Sequence, residues 1–431
     1  MECVILAAGE GKRMRPLTAS RPKVMLPVAG KPMLEHLISS ARDAGIKDFI
    51  LVVGYKEQDI RDYFGDGARM GVRIRYAVQR KQSGTANALL CTENLVKGSF
   101  MLLNGDMILN TLDILSFSNQ HVPCVGTVES THPQDFGVLE TEGHKVLSIV
   151  EKPKEPKSNL VNAGIYLFDT GIFTILKSLS LSERGEYELP DALMEYASKG
   201  LLHHYTLSSW FDIGEPWNLL DANEKMTKAL FENFKNDAED SGTTCANGGK
   251  VANGAGGAAG AADLIRGTIE DGVYIHGNVI LGEGSVIKSG TYIEGDCIIG
   301  RDCDIGPHAY IRGCTSVGDN CHIGHSVEIK NSIVMKGTKI PHFNYVGDSV
   351  IGSGCNFGAG TKVANLRHDR RDIRCDGRDT KRRKFGAVIG DDVQFGINCS
   401  VNAGSSVGSR VRAAPNSYIS GKINDDTTVG R

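Results

Sequence analysis

The sequence predicts an α/β domain followed by a parallel β-helix, and two observations carry this prediction. The first ~235 residues alternate short apolar runs with helical patterns, whereas the chain after residue 266 repeats an aliphatic residue at every sixth position. Residues 236–266 are polar, acidic and then rich in Gly, Ala and Asn, a composition that builds no core. We therefore expect domains at 1–235 and 267–431, joined by a flexible linker at 236–266.

The first part contains the elements of a sheet covered by helices. Short apolar runs predict buried strands at Cys3–Ala8, Phe49–Val53, Phe100–Leu103 and Cys124–Val128. Helical patterns occur at Met33–Ala44, Thr85–Val96 and Glu188–Lys199. This alternation is typical of a mainly parallel sheet, in which ligands bind at the carboxyl ends of the strands.

The second part has a period of six residues. Aliphatic positions recur without interruption from Ile269 to Ile329, and the period resumes over Ile351–Val363 and Ile389–Val407. A helix would repeat every 3.6 residues and a strand every two, so this period predicts a hexapeptide β-helix with three units in each coil of about eighteen residues. Five cysteines share a small inward position of the repeat and are expected to be buried structural thiols: Cys297, Cys303, Cys321, Cys355 and Cys399.

Two stretches depart from this period. Residues 335–350 fall out of register, and residues 364–384 leave the repeat completely. The second stretch holds nine basic and four acidic side chains, a formal charge of +5. Because interruptions of a repeat often carry binding loops, we expect either a solvated insertion or a lid that attracts anionic substrates.

Composition excludes several classes of protein. With 41% hydrophobic residues and a net charge of −3, the chain is neither disordered nor a nucleic-acid binder by bulk electrostatics. No apolar run reaches the ~18 residues of a membrane span, and the N-terminus lacks the pattern of a signal peptide. Eleven cysteines without a Cys-x-x-Cys pair suggest reduced thiols, and we expect a cytoplasmic protein.

A glycine-containing loop follows the first predicted strand. Gly9 and Gly11 allow backbone N–H groups to approach a phosphate, while Lys12 and Arg13 supply positive charge. No third glycine arrives in register for a dinucleotide fingerprint, which argues against an NAD enzyme. Ten residues further on, Lys23 follows Arg21-Pro22.

This combination resembles the signature of the sugar-1-phosphate nucleotidylyltransferases, whose first domain is Rossmann-like. Further motifs follow in family order: Gln79 with Gly84-Thr85-Ala86, Asn104-Gly105-Asp106, Glu151-Lys152-Pro153, Asn162-Ala163-Gly164 and Trp210–Gly214. The resemblance implies three groups of site residues. Nucleotide-binding positions are Ala8, Gly9, Gly11, Gln79, Gly84 and Thr85. Sugar-binding positions are Gly137, Glu151 and Asn162, catalytic cations are Arg13 and Lys23, and Mg²⁺ ligands are Asp106 and Asp212.

The chemistry of this family explains these residue types. A sugar phosphate oxygen attacks the α-phosphorus of a nucleotide, pyrophosphate leaves, and cations stabilise the charge on the phosphate oxygens. Mg²⁺ prefers few carboxylates together with phosphate oxygens. A glutamine at position 79 can pair with the imide edge of uracil or thymine, which favours UTP or dTTP. A purely structural role is the alternative for three of these residues. Asp212 could cap the helix that starts near Glu215, Gln79 could be an ordinary polar residue, and Glu151 could be a solvated loop acid.

Around the first break, the second part resembles the acetyltransferase half of the bifunctional glucosamine-1-phosphate acetyltransferase/N-acetylglucosamine-1-phosphate uridylyltransferases. The matching segments are Glu328–Asn331, Pro341–Asp348, Asn356–Thr361 and Asn365. The resemblance implies a left-handed β-helix, a homotrimer with acetyl sites between copies, and acetyl-CoA as cosubstrate. It implies His342 as general base, since an imidazole has a pKa near 7. Sugar and phosphate contacts would come from Arg312, Lys330, Tyr345, Asn356 and Asn365.

Two departures and two alternatives accompany this interpretation. Leu366 stands where the bacterial pattern has an aromatic residue, as in archaeal relatives, and Asp212 stands where some uridylyltransferases have Asn. The leading hypothesis is a bifunctional enzyme that acetylates glucosamine 1-phosphate and then transfers a nucleotidyl group. One alternative is a monofunctional glucose-1-phosphate uridylyl- or thymidylyltransferase whose β-helix only oligomerises it. Another is a nucleotide-sugar-sensing scaffold without activity.

Overall fold

A computed structural model describes the backbone of residues 1–182, 185–240 and 264–430, and the side chains of these residues except 235–240. The chain falls into two compact units. One comprises Met1–Gly11, Arg21–Met25 and Pro32–Asp212; the other comprises Lys12–Ser20, Leu26–Lys31 and Ile213–Arg431. Most of the predicted linker 236–266 lies outside the described residues, and its first residues belong to a helix that ends at Asp240.

The first unit is built on a nine-stranded sheet. Its strands lie in the spatial order Arg73–Val78, Asp48–Val53, Glu2–Leu6, Phe100–Asn104, Leu160–Phe168, Cys124–Glu129, His203–Thr206, Lys145–Glu151 and Gly137–Glu142. The first four strands are parallel. Beyond Phe100–Asn104 the pairing is largely antiparallel, so the expectation of a mainly parallel sheet holds for only half of it.

Helices accompany this sheet close to where the sequence predicts them. Helices and single 3₁₀ turns lie at Lys12–Met14, Lys23–Met25, Met33–Asp43, Glu57–Phe64, Ala68–Met70, Thr85–Leu90, Thr111–Ser118, Pro133–Asp135, Ile172–Ser178, Leu189–Ser198 and Asn218–Asp240. The helix predicted over Thr85–Val96 ends six residues early. There the Thr92 hydroxyl donates to the carbonyl of Leu89 (2.7 Å), a local bond that competes with continued helix. Short strand pairs occur at Met107–Leu109 with Trp210–Asp212, and at Pro27–Val28 with Lys31–Pro32.

The second unit contains a parallel β-helix of the left-handed type that hexapeptide repeats form. Its first face holds Thr268–Ile269, Val286–Ile287, Asp304–Ile305, His322–Ile323, Lys339–Ile340, Asn356–Phe357, Gln394–Phe395, Arg412–Ala413 and Thr428–Val429. Its second face holds Tyr274–His276, Tyr292–Glu294, Tyr310–Arg312, Glu328–Lys330, Tyr345–Gly347, Lys362–Val363, Ser400–Val401 and Tyr418–Ile419. Its third face holds Val279–Leu281, Cys297–Ile299, Thr315–Val317, Ile333–Val334, Val350–Ile351, Ala387–Ile389, Ser405–Val407 and Lys422–Ile423.

The interior of the coil is formed by the residues that carry the six-residue period. From Leu281 onward every predicted aliphatic position is buried, and Ile269 and Ile275 at the open end are partly buried. The five repeat cysteines are buried among them, and burial raises the pKa of Cys355 to about 12. All cysteines within the described ranges are free thiols. The predicted structural role of the repeat cysteines is confirmed.

The first predicted break is only a shift of register. Val317 pairs with Val334 and Val334 with Ile351, so two successive coils have 17 residues instead of 18. Residues 335–350 therefore stay within the β-helix, and the break that the sequence predicts here is a loss of register, as expected. One residue fewer in each of these two coils disturbs the period-six pattern without disturbing the stacking of the coils.

The second break leaves the coil, as predicted. The strands Val350–Ile351 and Ala387–Ile389 pair directly, and the residues between them include a hairpin of Arg374–Cys375 with Arg378–Asp379. This hairpin packs on the outside of the coil. The Arg374 carbonyl oxygen comes so close to Gly404 that a Cβ built there would lie 2.2 Å from it. Ile373 and Cys375 are buried there.

Asn344 occupies an inward position of the coil and holds a buried amide without a hydrogen-bond partner among the described residues. Asn344 is 2% exposed, and within the described part of the chain neither its Nδ2 nor its Oδ1 has a hydrogen-bond partner. The adjacent coils place Val327 and Thr361 at this position, and the Thr361 hydroxyl donates to the carbonyl of Gly396 (3.3 Å). An unsatisfied buried amide lowers the free energy of unfolding.

We expect Asn344→Thr to raise the free energy of unfolding by about 1 kcal/mol, because it removes the orphaned amide and supplies a hydroxyl that can donate to a carbonyl. Thermal and urea unfolding of the full chain measure this. The reciprocal change, Thr361→Asn, should destabilise the protein. A lower melting temperature for Asn344→Thr would contradict the assignment.

Candidate functional site

The first candidate site lies at the carboxyl end of the strands Glu2–Leu6 and Phe100–Asn104, which are parallel neighbours. The loop after the first strand carries Ala8, whose carbonyl accepts hydrogen bonds from the Tyr55 backbone N–H (3.1 Å) and from Gln82 Nε2 (2.9 Å). A side chain at Gly9 would meet nothing within 4 Å, so the backbone there is open to approach. The position fits a loop that binds phosphate through its backbone.

Lys23 passes directly over this loop. Gly11 has a φ of +66°, and a side chain there would bring its Cβ within 2.7 Å of the Lys23 Cβ. The Lys23 Nζ lies 2.6 Å from Asp106 Oδ2, and only 9% of the lysine side chain is exposed. A lysine and an aspartate that are 83 positions apart in sequence are thus brought into a short, largely buried ion pair.

Asp106 and Asp212 occupy neighbouring positions of the two-stranded pair. Asp212 lies opposite Met107, the residue after Asp106. Among the residues that the structure describes, no group of three or more His, Cys, Asp or Glu side chains is placed to hold a metal ion. Two aspartates without further protein ligands suit Mg²⁺, which takes its remaining ligands from phosphate and water, and they do not form a closed site for a structural zinc.

Gln79 lines a cavity of about 510 Å³ together with Gly54, Tyr55, Arg80 and Gln82. It is 5% exposed, and its Nε2 donates to the Gly84 carbonyl and to Asn87 Oδ1, both at 3.0 Å. Both amide hydrogens are therefore committed, which orients the Oε1 of Gln79 as an acceptor.

Gly84 and Thr85 begin the helix that faces this glutamine. A Cβ at Gly84, where φ is +103°, would lie 2.3 Å from the Tyr187 carbonyl oxygen, so only glycine fits. The Thr85 hydroxyl accepts from the backbone N–H of Leu189 at 3.0 Å, at the start of the helix Leu189–Ser198. Thr85 therefore stabilises the start of the helix Leu189–Ser198, and it also lies near the residues that line the cavity.

The three predicted sugar-binding residues of the first unit are brought together. Gly137 lies opposite Glu151, and a Cβ at Gly137 would lie 3.0 Å from Glu151 Oε2 and 3.7 Å from Asn162 Cβ. The Asn162 Nδ2 donates to the Tyr166 hydroxyl (2.9 Å), and its Oδ1 accepts from the Gly164 N–H (3.0 Å). Burial raises the pKa of Tyr166, which keeps this hydroxyl neutral.

Arg13 belongs to the second unit, in the segment Lys12–Ser20. Its guanidinium lies 4.0 Å from the Glu215 carboxylate, which also pairs with Arg378. Arg378 further donates to the Arg13 carbonyl (3.1 Å). The hairpin of the predicted basic insertion is therefore tied to this segment, and its Arg382 pairs with Asp221. Two of the cations that give the insertion its charge thus already have carboxylate partners.

The second candidate site follows one row of the second face. Arg312, Lys330 and Gly347 are stacked in register, and Tyr345 lies on the same strand as Gly347. Stacked strands lie about 4.8 Å apart, so the two cations of this row can reach one anion. Arg312 makes two hydrogen bonds to Glu328 Oε1, at 2.9 and 2.7 Å.

A buried carboxylate that sequence reasoning did not assign lies beside this row. Asp348 accepts from Lys330 Nζ at 3.0 Å and from Asn365 Nδ2 at 2.5 Å. A side-chain hydrogen bond also joins Asn365 to Tyr345. Burial, with the nearby carboxylates of Glu328 and Asp348, raises the pKa of Tyr345. A lone aspartate near a turn gives no signal in sequence, since its partners come from neighbouring coils.

His342 lies in the turn between the first and second faces, where it is exposed. The His342 carbonyl accepts from the Gly360 N–H of the next coil at 3.0 Å. In the same way, the His325 carbonyl of the preceding coil accepts from the Phe343 N–H at 3.1 Å. His342 and His325 therefore occupy the same corner in successive coils. Asn356 lies on the first face, beside Lys339 and Gln394. A single chain therefore divides the predicted acetyl-site residues between two faces.

Two family models match the two parts of the chain. The family model described as nucleotidyl transferase matches residues 2–229. The model described as GMPPB C-terminal domain matches residues 293–424. The chain is a nucleotidyl transferase whose Rossmann-like domain is followed by a β-helix.

Relatives share this whole architecture. The "Bifunctional protein GlmU" of Methanococcus maripaludis strain C7 is 44% identical over 100% of this chain and 97% of its own length. The protein of that name from strain S2 is 41% identical over the same shares. The "Bifunctional sugar-1-phosphate nucleotidylyltransferase/acetyltransferase" of Sulfurisphaera tokodaii is 36% identical over 97% of both chains. This chain belongs to the family of bifunctional GlmU proteins.

No helix within the described ranges is both long and apolar enough to cross a membrane.

Proposed function

We propose that this protein acetylates glucosamine 1-phosphate with acetyl-CoA and then transfers a nucleotidyl group from UTP or dTTP to the acetylated sugar phosphate, releasing pyrophosphate. One observation carries the proposal: a single chain holds both the Lys23–Asp106 pair and the Arg312–Lys330 row. The full-length relatives named as bifunctional support it, and one of the relatives is named for both activities.

For nucleotidyl transfer, the first unit supplies positioning and charge. The loop from Ala8 to Gly11 binds the phosphates through its backbone, and Lys23 stabilises the charge that develops on their oxygens as the sugar phosphate attacks. Asp106 and Asp212 are the residues that would hold Mg²⁺, which neutralises phosphate charge when bound. Arg13 is the second cation that we assign to this step.

Gln79 favours a base with an imide N–H. With both amide hydrogens committed, its Oε1 can accept from N3–H of uracil or thymine. Cytosine and adenine present an acceptor at the corresponding position. Among the pyrimidine nucleotides this supports UTP or dTTP, and of the purines only guanine presents an N–H at the same edge.

For acetyl transfer, the second unit supplies a base and an anion site. His342 takes a proton from the 2-amino group while that nitrogen attacks the thioester carbonyl, and the thiol of coenzyme A leaves. Arg312 and Lys330 bind the sugar phosphate, and Tyr345, Asn356 and Asn365 orient the sugar. The monofunctional alternative leaves this set of side chains without a role.

Purified full-length protein tests the proposal. We expect thiol release from acetyl-CoA that depends on glucosamine 1-phosphate, and pyrophosphate release from UTP or dTTP with N-acetylglucosamine 1-phosphate. Galactosamine 1-phosphate and glucose 1-phosphate, run in parallel, measure sugar preference. Pyrophosphate release without any acetylation of an amino sugar phosphate would favour the monofunctional enzyme, and neither activity would favour a sensor.

We further propose that the protein is a homotrimer in the cytoplasm, where its charged substrates are made. A three-faced coil packs in a closed threefold arrangement, and a neighbouring copy would bring Asn356 of one chain towards the Tyr345 row of another. Light scattering should give three times the 46.4 kDa chain mass. A monomer that still acetylates would contradict this assembly.

A further inference from the structure

Asp348 gathers three side chains from different parts of the β-helix. Its carboxylate accepts from Lys330 Nζ at 3.0 and 3.4 Å, from Asn331 Nδ2 at 3.0 Å and from Asn365 Nδ2 at 2.5 Å. Lys330 and Asn331 come from the preceding coil, and Asn365 comes from the chain that follows the next strand of the second face. Asp348 is 2% exposed, so these contacts replace its hydration.

The backbone conformation of Asp348 does not favour an aspartate at this position, so the side chain must account for its presence. Asp348 has a φ of +48°, in the left-handed region that favours glycine. The same corner is occupied by Asn331 in the preceding coil, with a φ of +43°, and by Gly313 and Gly295 in the two coils before it, with φ of +67° and +93°. A glycine would make this turn with less strain.

The contacts of Asp348 join residues assigned to substrate binding. Lys330 belongs to the cationic row, and Asn365 is hydrogen-bonded to Tyr345. The Asp348 backbone is fixed as well, because its N–H donates to the Lys330 carbonyl and its carbonyl accepts from Gly386 N–H, both at 2.8 Å. One rigid carboxylate thus determines where the Lys330 ammonium and the Asn365 amide lie.

We propose that Asp348 is a positioning residue for acetyl transfer, which fixes Lys330, Asn365 and, through Asn365, Tyr345 in one arrangement before the sugar phosphate binds. This inference rests on the proposed acetyltransferase function of the second unit. Asp348 itself is buried beneath these side chains and acts through them. Preorganisation of this kind lowers the cost of ordering several groups when substrate binds.

Asp348→Gly tests the proposal without straining the turn. The variant should fold, because glycine adopts this corner in earlier coils. We expect kcat/KM for glucosamine 1-phosphate in acetyl transfer to fall by about 10-fold or more. The KM for acetyl-CoA should change less than about 2-fold, and nucleotidyl transfer to N-acetylglucosamine 1-phosphate should be unchanged. Asp348→Asn, which keeps the volume, should show the same pattern.

A matched control is Asp426→Asn. Asp426 also has a left-handed φ, of +59°, and forms an ion pair with a cation, Arg410, at 2.6 Å, but it lies at the far end of the coil. This variant should keep wild-type acetyl transfer.

A double-variant cycle separates positioning from general stability. If Asp348 acts through Lys330 and Asn365, then Asp348→Gly should cost little in a Lys330→Met, Asn365→Ala background, whereas a purely structural loss would be additive. Wild-type activity in Asp348→Gly, or full additivity in the cycle, would overturn the inference. Absence of acetyl transfer in the wild-type protein would instead overturn the proposed function.

Discussion

Replacing His342 by alanine is expected to abolish acetyl transfer and to leave nucleotidyl transfer unchanged. A general base contributes about 10²- to 10⁴-fold to a rate, and no second base is assigned to the amine. His342 is exposed at the corner between the first and second faces, three residues before Tyr345. The Lys23–Asp106 pair belongs to the other compact unit, so the second activity should persist.

The chain offers a matched control for this variant. His325 occupies the same corner one coil earlier, and its ring contacts Phe343 at a centroid distance of 5.5 Å. His325→Ala removes an imidazole from the same structural position without removing the assigned base, and acetylation should continue. The assignment of His342 fails if His342→Ala acetylates at a rate near that of wild type.

Lys23→Ala and Asp106→Ala should each reduce nucleotidyl transfer by about 10²- to 10³-fold, the size of effect seen when a group that stabilises transition-state charge is removed. The two side chains form a 2.6 Å pair, and we assign Lys23 to the phosphate oxygens and Asp106 to Mg²⁺. Removing Lys23 therefore leaves Asp106 without this cation, and removing Asp106 takes away a metal ligand. Acetyl transfer should persist in both variants.

Pyrophosphate release measured across a Mg²⁺ titration checks this expectation. Lys47→Ala, which removes an exposed lysine of the same unit, is the control and should match wild type. Turnover of Asp106→Ala near wild type with an unchanged Mg²⁺ dependence would refute its role as a ligand.

The six-residue period was sufficient to predict the β-helix, because each aliphatic residue that repeats is one that faces inward. The left-handed corners could not be predicted in the same way, since Gly295, Gly313, Asn331 and Asp348 share a conformation but not a residue type. The loss of register over residues 335–350 was predicted, but its cause, two successive coils that are each one residue short, became visible only in the strand pairing.

In the first unit, motif spacing predicted which residues belong to a site but not how they meet. Lys23 and Asp106 are brought together by the crossing of two distant segments. The commitment of both Gln79 amide hydrogens depends on the turn at Gly84, which the sequence does not specify. Asp348 was missed because its partner side chains come from the preceding coil and from the chain after the next strand.

The second unit is assembled from three separate pieces of chain, and this limits how its gene can be recombined. Asn223 accepts from the Ala29 N–H (2.9 Å) and the Ser316 hydroxyl (2.7 Å) through Oδ1 and donates to the Cys314 carbonyl (2.8 Å). Trp217 packs against Phe385, with ring centroids 6.1 Å apart. A chimaera joined at residue 267 would take its coil from one parent. The helix Asn218–Asp240 and the segments Lys12–Ser20 and Leu26–Lys31, which belong to the same compact unit, would come from the other parent. Exchange of intact modules between relatives therefore requires crossovers that carry Lys12–Ser20, Leu26–Lys31 and the chain from Ile213 together.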